Sequence, residues 1–160
     1  MEGIGYFETF APVIGWQTVW TMLILSLILN LATLQVDYTA AFVHAMIDTD
    51  VYVKMPKGFG EPGKVLKLWK LLYRLNQSPC NFFLHLKSKL ETYGFCQSNF
   101  DPCMFISPKV ICLVYVDNTL FFSPDRAYIN KVFQKLCNKE MDLEIKNDVA
   151  GFLGVHIEQG

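Results

Sequence analysis

Residues 110–123 read "VICLVYVDNTLFFS". Two apolar runs rich in β-branched and aromatic residues flank an Asp-Asn pair, which predicts two short strands folded around Asp117 and Asn118. An acid at the tip of such a turn, held still by apolar strands, is either a metal ligand or a good turn residue. Just upstream, "CMFIS" (103–107) is joined to the first of these runs by a short Pro-Lys turn. Three strands in succession predict an antiparallel meander. Downstream, Asp125 precedes an amphipathic helix with Ile129, Val132, Phe133 and Leu136 at helical spacing, and "FLGVHI" (152–157) closes the chain as a strand.

The first half of the chain mixes elements in the same way. A helix is expected from about Trp16 to Leu31, its apolar stripe made by Val19, Leu23, Leu27 and Leu31. It runs into "LQVDYTAAFV" (34–43), whose start is strand-like and whose Asp37 interrupts an uncharged stretch. "VYVKMP" (51–56) alternates as a strand and ends at a proline, and the Gly- and Pro-rich "KGFGEPGK" (57–64) follows as a loop. "VLKLWKLLY" (65–73) fits strand and helix equally by periodicity. Ser78 then reads as an N-cap with Pro79 in the first turn, Phe82, Phe83, Leu86, Leu90 and Tyr93 mark one face, and Gly94 supplies the stop. Strands interleaved with a few helices, without βαβ alternation, place the chain in the α+β class as one domain.

Composition narrows the function classes. With 160 residues, 52% hydrophobic and 18% charged, the chain carries enough apolar side chain for a real core and is not a disordered tail. Five cysteines without a CxxC pair and three scattered histidines argue against a zinc module or a disulfide framework, and favour reduced thiols in an intracellular compartment. A net charge of −1 gives no global attraction to nucleic acid. The charge is uneven, however: Lys54, Lys57, Lys64, Lys67, Lys70 and Arg74 share a 21-residue stretch with a single acid, Glu61, and the aromatics Tyr52, Phe59, Trp69 and Tyr73 are interleaved with them. Such a stripe suits a phosphate backbone and stacked bases, and equally an ordinary solvated face. From Thr9 to Val36 no residue is charged, so a bilayer span over residues 16–36 competes with a buried helix. Gln17, Thr18, Thr21, Ser26, Asn30, Thr33 and Gln35, spread through that run, favour the buried helix, as does the lack of flanking Lys/Arg clusters.

Asp37 and Asp117 are each a lone acid in an apolar strand context. A carboxylate there is costly unless paired, placed at a strand end or bound to a cation. Two of them invite a shared Mg²⁺, with the oxygen ligands that cation prefers and the geometry of an in-line phosphoryl transfer. The two acids are then expected side by side at one edge of a single antiparallel sheet.

In order and spacing, "FETFAPV", "QVDYTAAFVHAMIDTDVYVKMPKGF", "KLLYRLNQSP", "SNFDPCMF", "LVYVDN" and "FLGVHI" resemble the reverse transcriptase of copia-type LTR retrotransposons, over nearly the whole chain. The resemblance implies that residues 1–160 are a fragment of an RNA-directed DNA polymerase. It would comprise an antiparallel-sheet palm with helices on one face and part of the fingers, without thumb, connection or ribonuclease H segments. It implies Mg²⁺ (or Mn²⁺) chemistry and an RNA or DNA template-primer with dNTPs as partners. Other polyprotein segments would be neighbours, in a cytoplasmic or virus-like-particle setting rather than a membrane. By the same resemblance Asp37 and Asp117 are catalytic metal ligands, with Asn118 at the family's second turn aspartate. Phe42 matches the aromatic that excludes a 2′-hydroxyl, Tyr73, Arg74 and Gln77 fall at nucleotide-binding positions, and Lys54, Lys57, Lys64, Lys67 and Lys70 face nucleic acid.

The sequence departs from the family pattern at the site itself. Asn118 keeps the turn but is neutral, so it cannot supply the charge that holds divalent ions against phosphate. The family's "YGLKQSPR" is "YRLNQSPC" here, with Arg74 at a usual glycine and Asn76 and Cys80 at usual basic positions, and "APVIGWQ" lacks a usual arginine. These changes remove charge and backbone room from one place, so impaired or lost polymerisation is expected. A non-catalytic nucleic-acid-binding module and a small membrane-anchored protein are the alternatives.

Overall fold

The computed structural model describes residues 10–38, 41–47, 50–56, 58, 63–72, 75, 77–137 and 143–146. Its main sheet has six strands in the order β4-β5-β6-β7-β1-β8, every neighbouring pair antiparallel. The strands are β1 (Ala32–Tyr38), β4 (Cys96–Gln97), β5 (Met104–Ile106), β6 (Ile111–Tyr115), β7 (Asn118–Ser123) and β8 (Leu143–Lys146). A separate hairpin pairs β2 (Tyr52–Lys54) with β3 (Val65–Lys67). With the helices α1 (Trp16–Ile28), α2 (Ser78–Thr92) and α3 (Arg126–Leu136), this is the expected α+β class.

The predicted meander is present as β5-β6-β7. Its alternation sorts the side chains into two layers. Leu34, Val36 and Tyr38 of β1 share a face with Thr119 and Phe121 of β7, Cys112 of β6 and Phe105 of β5. α2 covers that face: Phe82 meets Tyr38 edge-on at 5.5 Å between ring centroids, and Phe83 meets Phe105 at 6.2 Å. α3 lies beside α2, the Tyr93 hydroxyl donating to the Lys135 carbonyl at 2.9 Å. Gln35, Asp37, Asn118, Leu120, Leu113 and Tyr115 belong to the opposite face.

Several helix ends differ from the sequence expectation. α1 stops at Ile28, because Asn30 adopts φ 48° and the Leu31 N–H closes back on the Ser26 carbonyl at 2.8 Å, a Schellman end made with asparagine. Leu31 therefore lies beyond the helix, and Leu27 is exposed. The buried side of α1 is Val19, Met22 and Ser26, and Trp16, Trp20, Ile24 and Ile28 remain exposed. No helix among the described residues is long and apolar enough to cross a membrane. With 13 residues α1 is about 20 Å long, short of the roughly 30 Å of a hydrocarbon core. Ser78 is inside α2 rather than its cap: the cap position belongs to Gln77, and the Ser78 hydroxyl donates to the Leu72 carbonyl at 2.6 Å. Gly94, at φ 87°, ends α2 as expected. "VLKLWKLLY" begins as a strand of three exposed residues. The strands β4 and β8 were not foreseen, and "FLGVHI" lies outside the described residues.

Candidate catalytic centre at the β6-β7 turn

β1 and β7 pair in a register that sets Asp37 directly opposite Asn118, while β6 and β7 pair Tyr115 with Asn118. The ladder runs one step past the strand end, because the Tyr38 N–H donates to the Asp117 carbonyl at 2.9 Å. Asp37 and the Asp117-Asn118 pair, 80 residues apart in sequence, thus lie side by side at one end of adjacent strands, as expected. All three are half-buried.

The turn itself differs from the reading of Asp117 and Asn118 as its two tip residues. The tip is Val116 and Asp117, and the residue with positive φ is Val116, at 50°. Asn118 is instead the first residue of β7. Its side chain is held at both ends: Oδ1 accepts from Gln35 Nε2 at 3.1 Å, and Nδ2 donates to Asp117 Oδ1 at 3.3 Å. Gln35 is buried, two residues before Asp37 on the same face of β1. The sequence marked Gln35 only as one of the polar residues in the uncharged run; a polar side chain at an inward position of an apolar strand was the available signal for a role here. Next to Asp37, Tyr38 turns into the α2 layer, where burial pushes its hydroxyl far above the ordinary phenol range and keeps it neutral.

The remaining assigned residues that the structure describes are not gathered at this centre. Phe42 follows β1 in a 3₁₀ turn (Ala41–His44) and packs edge-on against Phe82 at 5.9 Å, 6% exposed, on the α2 side of the sheet. Gln77 is buried at the α2 cap, with Nε2 lacking a hydrogen-bond partner among the described residues. Tyr73, Arg74 and Lys57 lie outside the described residues. Lys54, Lys64 and Lys67 belong to the β2-β3 hairpin and its lead-in, and Lys70 bridges to Met46. Lys67 pairs with Asp50 at 2.6 Å and stands 5.2 Å over the ring of the exposed Trp69. The Asp50 carboxylate raises the Lys67 pKa above its ordinary value.

Divalent cations in a phosphoryl-transfer site are held by bridging carboxylates together with substrate phosphates. Here the centre offers Asp37, Asp117 and an amide whose oxygen is already engaged by Gln35 and whose NH₂ is turned on Asp117. Among the described residues no three His, Cys, Asp or Glu side chains come together as a metal cage. Of the described side chains at the centre, two carry a carboxylate and the third an amide, a weaker donor set for divalent cations than three carboxylates, and the register also sets Glu144 opposite Asp37.

Comparison with known proteins bears on what this centre is. The family profile described as "Reverse transcriptase (RNA-dependent DNA polymerase)" matches residues 1–160. The chain is 30% identical over 164 residues to the retrovirus-related Pol polyprotein from transposon TNT 1-94 of Nicotiana tabacum, covering 98% of the chain and 12% of that protein. It is 30% identical to the corresponding polyprotein from transposon RE1 of Arabidopsis thaliana, covering 98% and 11%. With the transposon Ty1-BR Gag-Pol polyprotein of Saccharomyces cerevisiae it shares 30% identity over 141 residues, covering 82% and 8%. The chain thus spans about an eighth or less of the length of these relatives. No solved structure matches it.

Proposed function

Because the chain belongs to the reverse transcriptase (RNA-dependent DNA polymerase) family, we propose that it is the palm and partial fingers of a copia-type retrotransposon polyprotein, holding a template-primer at the end of β1 and β7, with polymerisation impaired or lost at residue 118. The observation that carries this reading is the register placing Asp37 opposite Asn118, with Asp117 at the adjoining tip. Residues 80 apart in sequence thus share one strand end, and a primer terminus would approach that end of the sheet.

The chemistry of this chain's own groups follows from that arrangement. Asp37 and Asp117 supply negative charge on a rigid frame, Asp37 paired in β1 and Asp117 at a tight turn whose carbonyl accepts from the Tyr38 N–H. Asn118 supplies a dipole in place of the third charge. Divalent-metal use is implied by the family, and metal ions would stabilise the attacking and leaving oxygens of nucleotidyl transfer. Asp37 and Asp117 supply less charge for that task than a centre with an acid at 118 would. The proposal assigns phosphate contacts to Lys54, Lys57, Lys64, Lys67 and Lys70, and the nucleotide side to Phe42, Tyr73, Arg74 and Gln77. Phe42 and Gln77, both buried, would reach a nucleotide only after local rearrangement.

A second reading, a non-catalytic nucleic-acid-binding module, is favoured by the β2-β3 hairpin alone. Tyr52 and Trp69 are exposed there among lysines, the combination that stacks bases and follows a phosphate backbone. An RNA template annealed to a DNA primer with a photoreactive 3′ nucleotide separates the two. Crosslinks mapped to residues 32–38 and 115–119 are expected. Crosslinks confined to residues 50–70 would replace the polymerase palm with the binding module.

A further inference from the structure

We propose that Gln35 is a positioning residue for the side chain at 118, and that the chain Gln35–Asn118–Asp117 replaces a bound cation with an internal hydrogen-bond clamp. This rests on the reading of Asp37, Asp117 and Asn118 as the catalytic centre. The direction of the clamp is fixed by chemistry. An ionised carboxylate only accepts, so the side of Asn118 turned to Asp117 has to be its NH₂. Its oxygen then faces Gln35, which has to present its own NH₂ at 3.1 Å. Gln35 is 1% exposed, and its Oε1 is left buried without a hydrogen-bond partner among the described residues. An apolar side chain would avoid that orphaned acceptor. The residue is thus held by its donor end, which reaches diagonally across the ladder, since Gln35 is paired with Leu120 and Asn118 lies two residues before it.

The clamp decides what the centre can bind. The positive end of the Asn118 amide sits against Asp117 Oδ1, where a cation would otherwise offset the carboxylate, and the one side-chain oxygen at 118 accepts from Gln35. With aspartate at 118, the Gln35 donor would hold one oxygen and aim the other at Asp117. Two like charges would then face each other within hydrogen-bond range, a repulsion that a divalent cation relieves. Gln35 therefore serves opposite ends in the two cases: it locks an amide here, and it would orient a ligand if residue 118 were an acid.

The test uses the whole chain, Mn²⁺ alone as the probe, and Mn²⁺ affinity by electron paramagnetic resonance. Asn118→Asp is expected to bind Mn²⁺ at least tenfold more tightly than the unaltered chain. Adding Gln35→Met, which keeps length and removes the donor, should reverse most of that gain. In the unaltered chain Gln35→Met should also speed hydrogen exchange of the Asn118 side-chain NH₂ at least fivefold by NMR, a readout that general loosening of the sheet would not confine to one amide. Gln35→Glu serves as a second variant if the methionine variant does not fold. Its carboxylate only accepts, so it would compete with Asp117 for the Asn118 NH₂ and shift the NH₂ resonances. Equal Mn²⁺ binding by Asn118→Asp with and without the Gln35 change would overturn the positioning role. No gain in Asn118→Asp would overturn the clamp. Asp37→Asn in the Asn118→Asp background separates the underlying reading: unchanged tight binding there would show that the cation sits elsewhere, and the catalytic-centre assignment itself would fall.

Discussion

Val116 holds the tip of the hairpin in a conformation that β-branched residues avoid. At φ 50° its Cβ crowds the following carbonyl, at a cost of about 1–2 kcal/mol. Val116→Gly removes that crowding and gives back part of it as chain entropy, so a net gain of about 1 kcal/mol in stability is expected, read from the urea midpoint. A loss of 1 kcal/mol or more would show that the valine side chain, about one-third exposed, contributes packing that outweighs the strain. The sequence pointed to the hairpin and to its acids, but with Asp117 and Asn118 as the two tip residues. Moving the turn by one residue shifts the β6-β7 register by two and leaves both faces of the sheet intact, so hydrophobic alternation could not tell the alternatives apart. What separates them is long-range: the pairing of Asp37 with Asn118 and the bond from Tyr38 N–H to the Asp117 carbonyl. The same distance hid Gln35, whose partner is 83 residues away.

At the scale of elements, α1 is fastened by a residue from the far side of the chain. Asp101, in the loop between β4 and β5, accepts from the Gly15 N–H at 2.9 Å and the Thr18 hydroxyl at 2.6 Å through Oδ2, and from the Cys103 N–H at 2.9 Å through Oδ1. Gly15 is the cap position of α1 and has no side chain with which to cap the helix itself, so a carboxylate in trans satisfies the orphan donor. Charged acceptors in such bonds contribute about 1.5–3 kcal/mol, and Asp101 is buried. Asp101→Ala is therefore expected to cost about 3 kcal/mol in equilibrium unfolding, and Asp101→Asn less, since its remaining oxygen still accepts. An alanine variant within 0.5 kcal/mol of the unaltered chain, on the order of a surface change, would mean that α1 is held by Val19 and Met22 alone. No local pattern announces a cap drawn from 86 residues away. By contrast α3, capped by Asp125 through a bond to the Ala127 N–H at 2.8 Å, was legible in full, because its signals are all local.

At the scale of the whole molecule, the core holds thiols that resist ionisation. Burial, and secondarily the charge of Asp101, pushes Cys103 up to about 12, and burial raises Cys112 well above the ordinary thiol range. The unfolded chain ionises these groups near pH 8.5 while the folded chain keeps their protons. The folded state therefore binds more protons above that pH, and stability falls as pH rises from about 9 toward 12, by up to about 1.4 kcal/mol per pH unit for each thiol. Melting followed from pH 8 to 11 should show this decline, and Cys112→Val should flatten it. A profile identical in the valine variant would place the alkaline sensitivity elsewhere. The α+β class and the meander were legible because they rest on composition and on strands close in sequence. The order β7-β1-β8 was not, since β1 joins its partners across more than 80 and 100 residues.

The claim that joins these scales is that residue 118 decides whether Asp37 and Asp117 can support nucleotide addition. Removing one anionic group from such a centre should cost several kcal/mol of transition-state stabilisation, each 1.36 kcal/mol being about tenfold in rate. The direct measurement is dNTP incorporation on an RNA template by this chain fused to the downstream polyprotein segments of a relative, compared with the same fusion carrying Asn118→Asp. Incorporation at least a hundredfold greater with Asn118→Asp is expected, with Arg74→Gly added if the arginine also closes the nucleotide pocket. Robust synthesis by the fusion that retains Asn118 would contradict the account, because Asp37 and Asp117 would then suffice.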